Sequence, residues 1–299
     1  KDEEFFKKVY PASIRPQAKD IVRTWLYYTL LRCEELTGEK PWSEAWVMGY
    51  GLDEKGMKMS KSKGNAIDPL PVIEKLGADT FRFWSASEIN HGYDFRCNEQ
   101  KIESTRKFLS KLWNVSRFLS SFPVIDSGVT NPSDKWILSE LDKLVKECKK
   151  GYEEYNFFIP AIAIREFTWN VFAAHYIEMV KARAYGINFS DEERDGAIFT
   201  LHKTLATILK LLAPITPFIT EHLWKILYSN ESIHKEKQVD VENIDEQTEI
   251  TKQIAEFNSK VWNEKKSQNL SLKDSIEIEI PEILKPFEKD LKSMHNLLD

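Results

Sequence analysis

The chain has 299 residues, with 42 Lys and Arg against 47 Asp and Glu, a formal net charge of −5. That balance excludes a globally basic nucleic-acid coat protein, so any contact with nucleic acid must use local patches. At 42% hydrophobic residues with only 11 Gly and 12 Pro, a collagenous or wholly disordered chain is excluded, and the length predicts two or three domains. Cys33, Cys97 and Cys148 lie far apart without CxxC or His spacing, which gives no basis for a disulfide framework or a zinc site and points to a reducing, cytoplasmic compartment. No segment approaches 18 uninterrupted apolar residues, so no membrane partner is expected.

In chain order, Tyr10 to Arg15 reads as a strand and Asp20 to Leu36 as a helix with Ile21, Trp25, Tyr28 and Leu31 on its apolar face. Trp46 to Leu52 reads as a second strand, followed by a loop from Gly51 to Gly64 with a turn at Asp53, Lys55 and Gly56. Asp68-Pro69 is a helix cap with proline in the first helical position, Gly77 closes that helix, and Asp79 is placed to cap the next. From Ile102 a long helix carries Ile102, Leu109, Leu112, Trp113 and Leu119 on one side and a basic face with Lys107, Lys111 and Arg117 on the other. A turn-rich stretch from Asp126 to Ser133 ends where Asp134 can cap a helix bearing Ile137, Leu141, Leu144, Val145 and Cys148. Helical periodicity continues over 160–185 and 192–212, and Pro214 and Pro217 precede a helix through Leu223 and Leu227. The tail predicts a helix at Ile250, Ile254, Phe257 and Val261, a strand at Ile276 to Ile280, and a last helix through Phe287, Leu291 and Met294. The expected fold is mostly α with an N-terminal α/β portion, then an antiparallel helical bundle and a small α/β C-terminal appendage.

The segment richest in chemistry is Gly56-Met-Lys-Met-Ser-Lys-Ser-Lys-Gly-Asn65. Three lysines alternate with two hydroxyls between glycines, a combination suited to a mobile clamp on a polyphosphate. A merely solvated lysine-rich loop is the alternative from composition.

The string Lys58-Met-Ser-Lys-Ser62 resembles the second signature of the class I aminoacyl-tRNA synthetases. Ile14-Arg-Pro-Gln17, Asp20-Ile-Val-Arg-Thr-Trp25, Gly77-Ala-Asp-Thr-Phe-Arg-Phe83, Lys107-Phe-Leu-Ser-Lys-Leu-Trp-Asn114, Asp134-Lys-Trp-Ile-Leu138 and Ala213-Pro-Ile-Thr-Pro-Phe-Ile-Thr-Glu221 are similar to the valyl branch of that family, in the family's order. The resemblance implies that residues 1–95 are the C-terminal half of a Rossmann-type catalytic domain, 96–133 a stem-contact connection, 134–235 an anticodon-binding bundle and 236–299 an appendage. It implies valine, ATP and tRNA(Val) as substrates of the intact enzyme, a valine–tRNA ligase, with Mg2+ on the phosphates and no protein-bound structural metal. Lys58 and Lys61 would be the catalytic cations, Met59 and Ser60 would hold the closed loop, Asp20 would meet the ribose, and the backbone at Gly49 would meet adenine.

For Asp20 the competing reading is a helix cap. Met48-Gly49 stands where many relatives have His-Gly, so that histidine contact is not carried over. The family's His-x-Gly-His signature is not present in the sequence, so the chain is expected to be a C-terminal fragment, monomeric and inactive by itself, with the amino-acid pocket and editing domain elsewhere. An isoleucyl fragment and a non-catalytic tRNA-binding module remain open alternatives. Lys107, Lys111 and Arg117 are the candidate tRNA phosphate contacts. Trp136, Trp169, Tyr176 and Trp224 could stack on bases, but each sits in an apolar helical pattern that predicts core packing.

Overall fold

A computed structural model describes residues 2–126, 128, 131–242 and 248–298. The chain divides into two compact units, one of residues 1–104 with 156–158, the other of 105–155 with 159–299. The chain is mostly helical among the described residues.

In the first unit, helix α1 (Glu3–Val9) leads to strand β1 (Ala12–Ala18), helix α2 (Tyr27–Thr37) and strand β2 (Trp42–Met48). β1 and β2 pair in parallel, Ile14 opposite Glu44 and Ala18 opposite Met48, which requires the crossover that α2 supplies. Both strands run a few residues off the expected limits. The expected helix from Asp20 is three pieces: a 3₁₀ turn (Lys19–Ile21), a π turn (Val22–Leu26) and α2. Its apolar residues are not covered, since α2 buries none of its residues and Trp25 and Tyr28 are each 60% exposed. Periodicity identified the face but not whether another element packs on it.

Two-residue strands β3 (Gly51–Leu52) and β4 (Phe95–Arg96) form a second parallel pair. Helix α3 (Pro69–Leu76) begins as expected, with the Asp68 carboxylate accepting from the Leu70 amide. Gly77, at a positive φ of 89°, ends it and itself precedes α4 (Ala78–Glu88); Asp79 is therefore not a cap but a buried residue of the first turn. Val72, Leu76, Trp84, Cys97 and Ile102 form the core beneath the lysine loop, with Met59, Phe81 and Phe95 packed against it.

Helix α5 (Glu99–Leu119) buries Ile102, Leu109, Leu112 and Leu119 as predicted, whereas Trp113 is 41% exposed and stacks on His222 at 5.7 Å. Part of the expected turn-rich stretch, at 127, 129 and 130, lies outside the described residues. The second unit is built from α6 (Pro132–Glu153), α7 (Phe158–Glu166), a π segment (Phe167–Tyr176), α8 (Ile177–Ala184), α9 (Asp191–Leu212) and α10 (Pro217–Leu227), completed by α11 (Thr248–Ser267) and α12 (Glu288–His295). α9 packs against α6, α8 and α10, and α12 lies on α8. A capping box at Ser190 and Glu193 starts α9.

Asp134 is not the cap of α6, which begins at Pro132 after Asn131. It is fully buried, and it accepts from Arg183 through both carboxylate oxygens, at 2.8 and 2.6 Å, and from the Tyr176 hydroxyl at 2.6 Å. Arg183, also fully buried, uses its remaining N–H groups on Asp290 Oδ1 at 3.1 Å, Ser133 Oγ at 2.9 Å and the Glu193 carbonyl at 3.2 Å. The Ser133 hydroxyl donates to Asp290. One guanidinium thus joins α6, α8, α9 and α12, with every donor satisfied.

The strand expected at Ile276 to Ile280 does not form. Ile276 and Ile280 are buried and their neighbours exposed, as alternation requires, but the only pairing among the described residues is an isolated bridge from Ile276 to Leu297. The segment has no partner strand among the described residues, and the regular elements described within 236–299 are α11, a 3₁₀ turn (Glu282–Phe287) and α12.

Candidate functional site

The lysine loop is built from its own residues outward. Asp53 Oδ1 accepts from the amides of Lys55 at 3.0 Å and Met57 at 2.8 Å, and Gly56 takes φ 81°, a conformation that glycine adopts without strain. The turn lets Lys58 bridge back to Leu52 and the Met59 amide donate to the Gly51 carbonyl at 3.0 Å, while the Met59 side chain packs on the core.

Asn65 then staples both ends. Its amide donates to Asp53 Oδ2 at 2.8 Å and to the Lys58 carbonyl at 3.3 Å, and its Oδ1 accepts from the Ser60 amide at 3.0 Å. The Asn65 amide and the Met57 and Lys55 N–H groups hold the Asp53 carboxyl below the usual carboxylate range. Ser60 precedes a 3₁₀ turn (Lys61–Lys63) that Gly64 closes at φ 67°. Lys61 and Lys63 are exposed on that turn, and neither ammonium has a hydrogen bond or ion pair among the described residues. Two free cations beside the Ser60 and Ser62 hydroxyls, which lie 3.3 Å apart, form a positive surface that suits an anion.

Lys58 is held differently. Its Nζ lies 2.6 Å from Asp20 Oδ2 and 4.1 Å over the Tyr50 ring. Lys19 covers the same ring at 4.2 Å and pairs with Asp94, whose Oδ1 accepts from the Tyr50 amide at 2.7 Å. The Lys58 hydrogen bond depresses the Asp20 pKa and in return raises that of Lys58, and Lys19 with the Tyr50 N–H depresses that of Asp94. Asp20 caps no helix; it sits inside the Lys19–Ile21 turn, which follows Ala18. At Gly49, an added Cβ would lie 1.9 Å from the Tyr93 carbonyl oxygen. Only glycine lets β2 run that close to the chain before β4.

The structure therefore brings Asp20, Lys58, Met59, Ser60 and Lys61 into one region, with Gly49 next to Tyr50 on the strand end. Lys107, Lys111 and Arg117 are not part of it; they lie along α5 in the second unit, Lys107 and Arg117 exposed and Lys111 half-buried with its Nζ 5.9 Å over Trp169. Trp136, Tyr176 and Trp224 are core residues as expected. Trp169 is not: it is 38% exposed beneath Lys111. Sequence reading missed Tyr50, Asn65, Lys19 and Asp94. The first three adjoin named residues or the loop string and were detectable there, whereas Asp94 lies 75 positions from its partner Lys19 and carries no local signal. No cluster of three or more His, Cys, Asp or Glu that could hold a metal occurs among the described residues, and none of their helices is long and apolar enough to cross a membrane.

Residues 1–97 match the family model for tRNA synthetases class I (I, L, M and V), and residues 134–280 match that for the anticodon-binding domain of tRNA ligase. The chain belongs to the class I tRNA synthetases. Within the class it resembles valine–tRNA ligases: it is 43% identical to that of Pyrobaculum aerophilum over 100% of this chain, and 39% identical to that of Aeropyrum pernix over 98%. It spans 38% and 37% of the length of those two relatives. A ternary complex of Agrobacterium radiobacter K84 agnB2 LeuRS with tRNA and LeuAMS has the same fold over 79% of this chain and 29% of that one, at TM-score 0.63 and 22% identity. Mycobacterium tuberculosis methionyl-tRNA synthetase with methionyl-adenylate aligns over 78% of this chain and 48% of that one, at TM-score 0.64 and 22% identity.

Proposed function

We propose that this chain is the portion of a valine–tRNA ligase that carries the ATP-phosphate loop and a tRNA-binding helical region, and that the intact enzyme joins valine to tRNA(Val) through valyl-adenylate. The observation that carries the reading is the Lys58–Ser62 loop, shaped by Asp53 and Asn65 so that the Lys61 ammonium stands exposed without a partner. ATP fits these residues. Lys61 and Lys63 are free for its phosphates, and we assign adenine to the peptide edge at Gly49, whose Cα side is filled by the Tyr93 carbonyl. Mg2+ would be held by the phosphates, since no described carboxylate cluster is available for it.

In the reaction, valine carboxylate attacks the α-phosphate and pyrophosphate leaves. Lys61 stabilises the charge that builds on the phosphates once the loop closes on them and water leaves the ammonium. Met59 and Ser60 keep the loop seated on the core. Lys58 reaches a phosphate only by giving up Asp20 and Tyr50. A ribose hydroxyl that engages Asp20 competes for the same carboxylate, so nucleoside binding favours the release of Lys58. We assign residues 1–95 to the catalytic domain, 96–133 to the stem-contact connection, 134–235 to the anticodon-binding bundle and 236–299 to the appendage, with Lys107, Lys111 and Arg117 on tRNA phosphates.

The test is Lys61→Ala in the full-length ligase. Valine-dependent exchange of pyrophosphate into ATP should fall about 10²- to 10³-fold, the loss typical of one preorganised transition-state contact, with valine affinity nearly unchanged. A loss of valine binding as large as the loss of rate would make the loop a structural element and remove it from the phosphates.

A further inference from the structure

The Lys61 ammonium has no hydrogen bond or ion pair among the described residues, so its place is set by the backbone beneath it. That backbone changes character at Ser60. Up to there the loop is fixed to the fold, with the Met59 amide donating to the Gly51 carbonyl at 3.0 Å and the Met59 side chain packing on the core. From Lys61 to Gly64 every residue is exposed, and the backbone closes only on itself, the Lys63 amide reaching the Ser60 carbonyl and the Gly64 amide the Lys61 carbonyl, each at 3.2 Å. Both ends of this tip meet on one side chain. Asn65, half-buried, accepts from the Ser60 amide at 3.0 Å and so closes the segment from Ser60 to Asn65 into a ring.

Few side chains can make that closure. The Ser60 N–H only donates and the Asp53 carboxylate only accepts, so the group between them must turn an oxygen to one and an N–H to the other, as a carboxamide does. The Asn65 amide donates to Asp53 Oδ2 at 2.8 Å and to the Lys58 carbonyl at 3.3 Å. Asp53 is anchored in turn: its Oδ1 accepts from the Lys55 and Met57 amides, and its own amide donates to the Met57 carbonyl at 2.8 Å. An aspartate at 65 would set two carboxylates face to face, and a glutamine would carry the amide one methylene past both partners. Asp53, Lys58, Ser60 and Asn65 thus make one frame, from which the tip with Lys61 and Lys63 hangs.

We propose that Asn65 and Asp53 are positioning residues for adenylate formation, holding both ends of the Lys61–Gly64 tip so that Lys61 swings onto the phosphates along one fixed arc. Both side chains are committed within the loop and act through Lys61. The proposal rests on the reading of this loop as the ATP-phosphate clamp, and it adds the residues outside the Lys58–Ser62 string that make the clamp accurate. What the frame contributes is orientation, and a misplacement of about 1 Å costs up to about 10²-fold in rate.

The experiment exchanges the two side chains in the full-length ligase without changing their summed charge. Asn65→Ala should lower kcat for valine-dependent exchange of pyrophosphate into ATP about 10- to 100-fold, with KM for valine and affinity for tRNA(Val) unchanged. Asp53→Asn and Asn65→Asp should each lose rate in the same way. Combined, they place a carboxylate at 65 to accept from the Ser60 amide, and a carboxamide at 53 whose nitrogen donates to 65 and whose oxygen accepts from Lys55 and Met57. Only the 3.3 Å contact to the Lys58 carbonyl is then lost, and the doubly exchanged ligase should return to within about fivefold of the parent, a coupling that independent sites do not show. In the chain by itself, trypsin should cut after Lys61 and Lys63 about 2- to 12-fold faster in Asn65→Ala, the factor for one net hydrogen bond, with the thermal unfolding midpoint unmoved. If Asn65→Ala is as fast as the parent while Lys61→Ala is slow, the positioning role is overturned and the phosphate loop stands. If the doubly exchanged ligase is no faster than either single variant, the two side chains do not act as a pair and the frame is overturned. If Lys61→Ala is itself as fast as the parent, the failure lies in the reading of the loop as the phosphate clamp, and the positioning role falls with it.

Discussion

Arg183 gives the sharpest test of how the helical unit is held together. Substitution to methionine, similar in length and apolar, removes a cation whose five N–H groups are all accepted and leaves Asp134 and Asp290 buried without it. Breaking a buried ion pair from one side costs about 3–5 kcal/mol, because the surviving charge remains desolvated. For a unit of this size that corresponds to a drop of about 6–20 °C in melting temperature, followed by far-UV circular dichroism. The pH dependence adds a sign. Burial already raises the Asp290 pKa while Arg183 opposes that rise, so losing Arg183 pushes the carboxyl higher still. A carboxyl whose folded pKa lies above its unfolded value destabilises the fold as pH rises from the unfolded value, near 4, through the folded one. The variant's deficit should therefore be largest at neutral pH and shrink on acidification towards pH 4 to 5, where the buried carboxyl takes up a proton. Replacing both aspartates by asparagine in the same chain should recover part of the lost stability at pH 7. A deficit below about 1 kcal/mol at pH 7, or one that is the same at pH 7 and pH 5, would refute the reasoning and make the network an incidental contact.

Two other perturbations follow from particular contacts. Gly49→Ala drives a methyl group into the Tyr93 carbonyl, and overpacking of this kind costs about 1–3 kcal/mol; hydrogen exchange should quicken at the Tyr50 and Phe95 amides, which bond across that approach to Asp94 and Tyr50. Unchanged protection would mean that the strands separate without cost. His295 is pushed down to about 4 by burial and by Lys265 and His175, so its stabilisation is complete above the ordinary histidine pKa near 6.5 and is lost as pH falls from there to about 4, by about 3 kcal/mol at most. Urea unfolding between pH 7 and pH 4 should show this slope, and His295→Gln should flatten it; an equal slope in the variant would place the titration elsewhere.

Local chemistry was legible in the sequence because it depends on neighbours in the chain. The Lys58–Ser62 string, the Asp53 turn, the Asp68-Pro69 start of α3 and the apolar faces of α6 and α9 all rest on contacts a few residues apart, and each forms where the sequence places it. What periodicity cannot supply is whether a face is covered. Trp25 and Tyr28 lie on one apolar stripe of the sequence and stay exposed, Trp169 lies in an apolar pattern and surfaces, and Ile276 to Ile280 alternates like a strand with no strand beside it among the described residues. Nor can it supply partners across long separations. Asp134 reads as a helix cap until Arg183, 49 residues on, arrives to neutralise it, and Asp94 has no meaning until the fold delivers it to Lys19 and Tyr50. The reason is physical: a residue's secondary-structure preference is settled within a turn or two of backbone, but the environment of its side chain is settled by whatever element the tertiary structure lays against it.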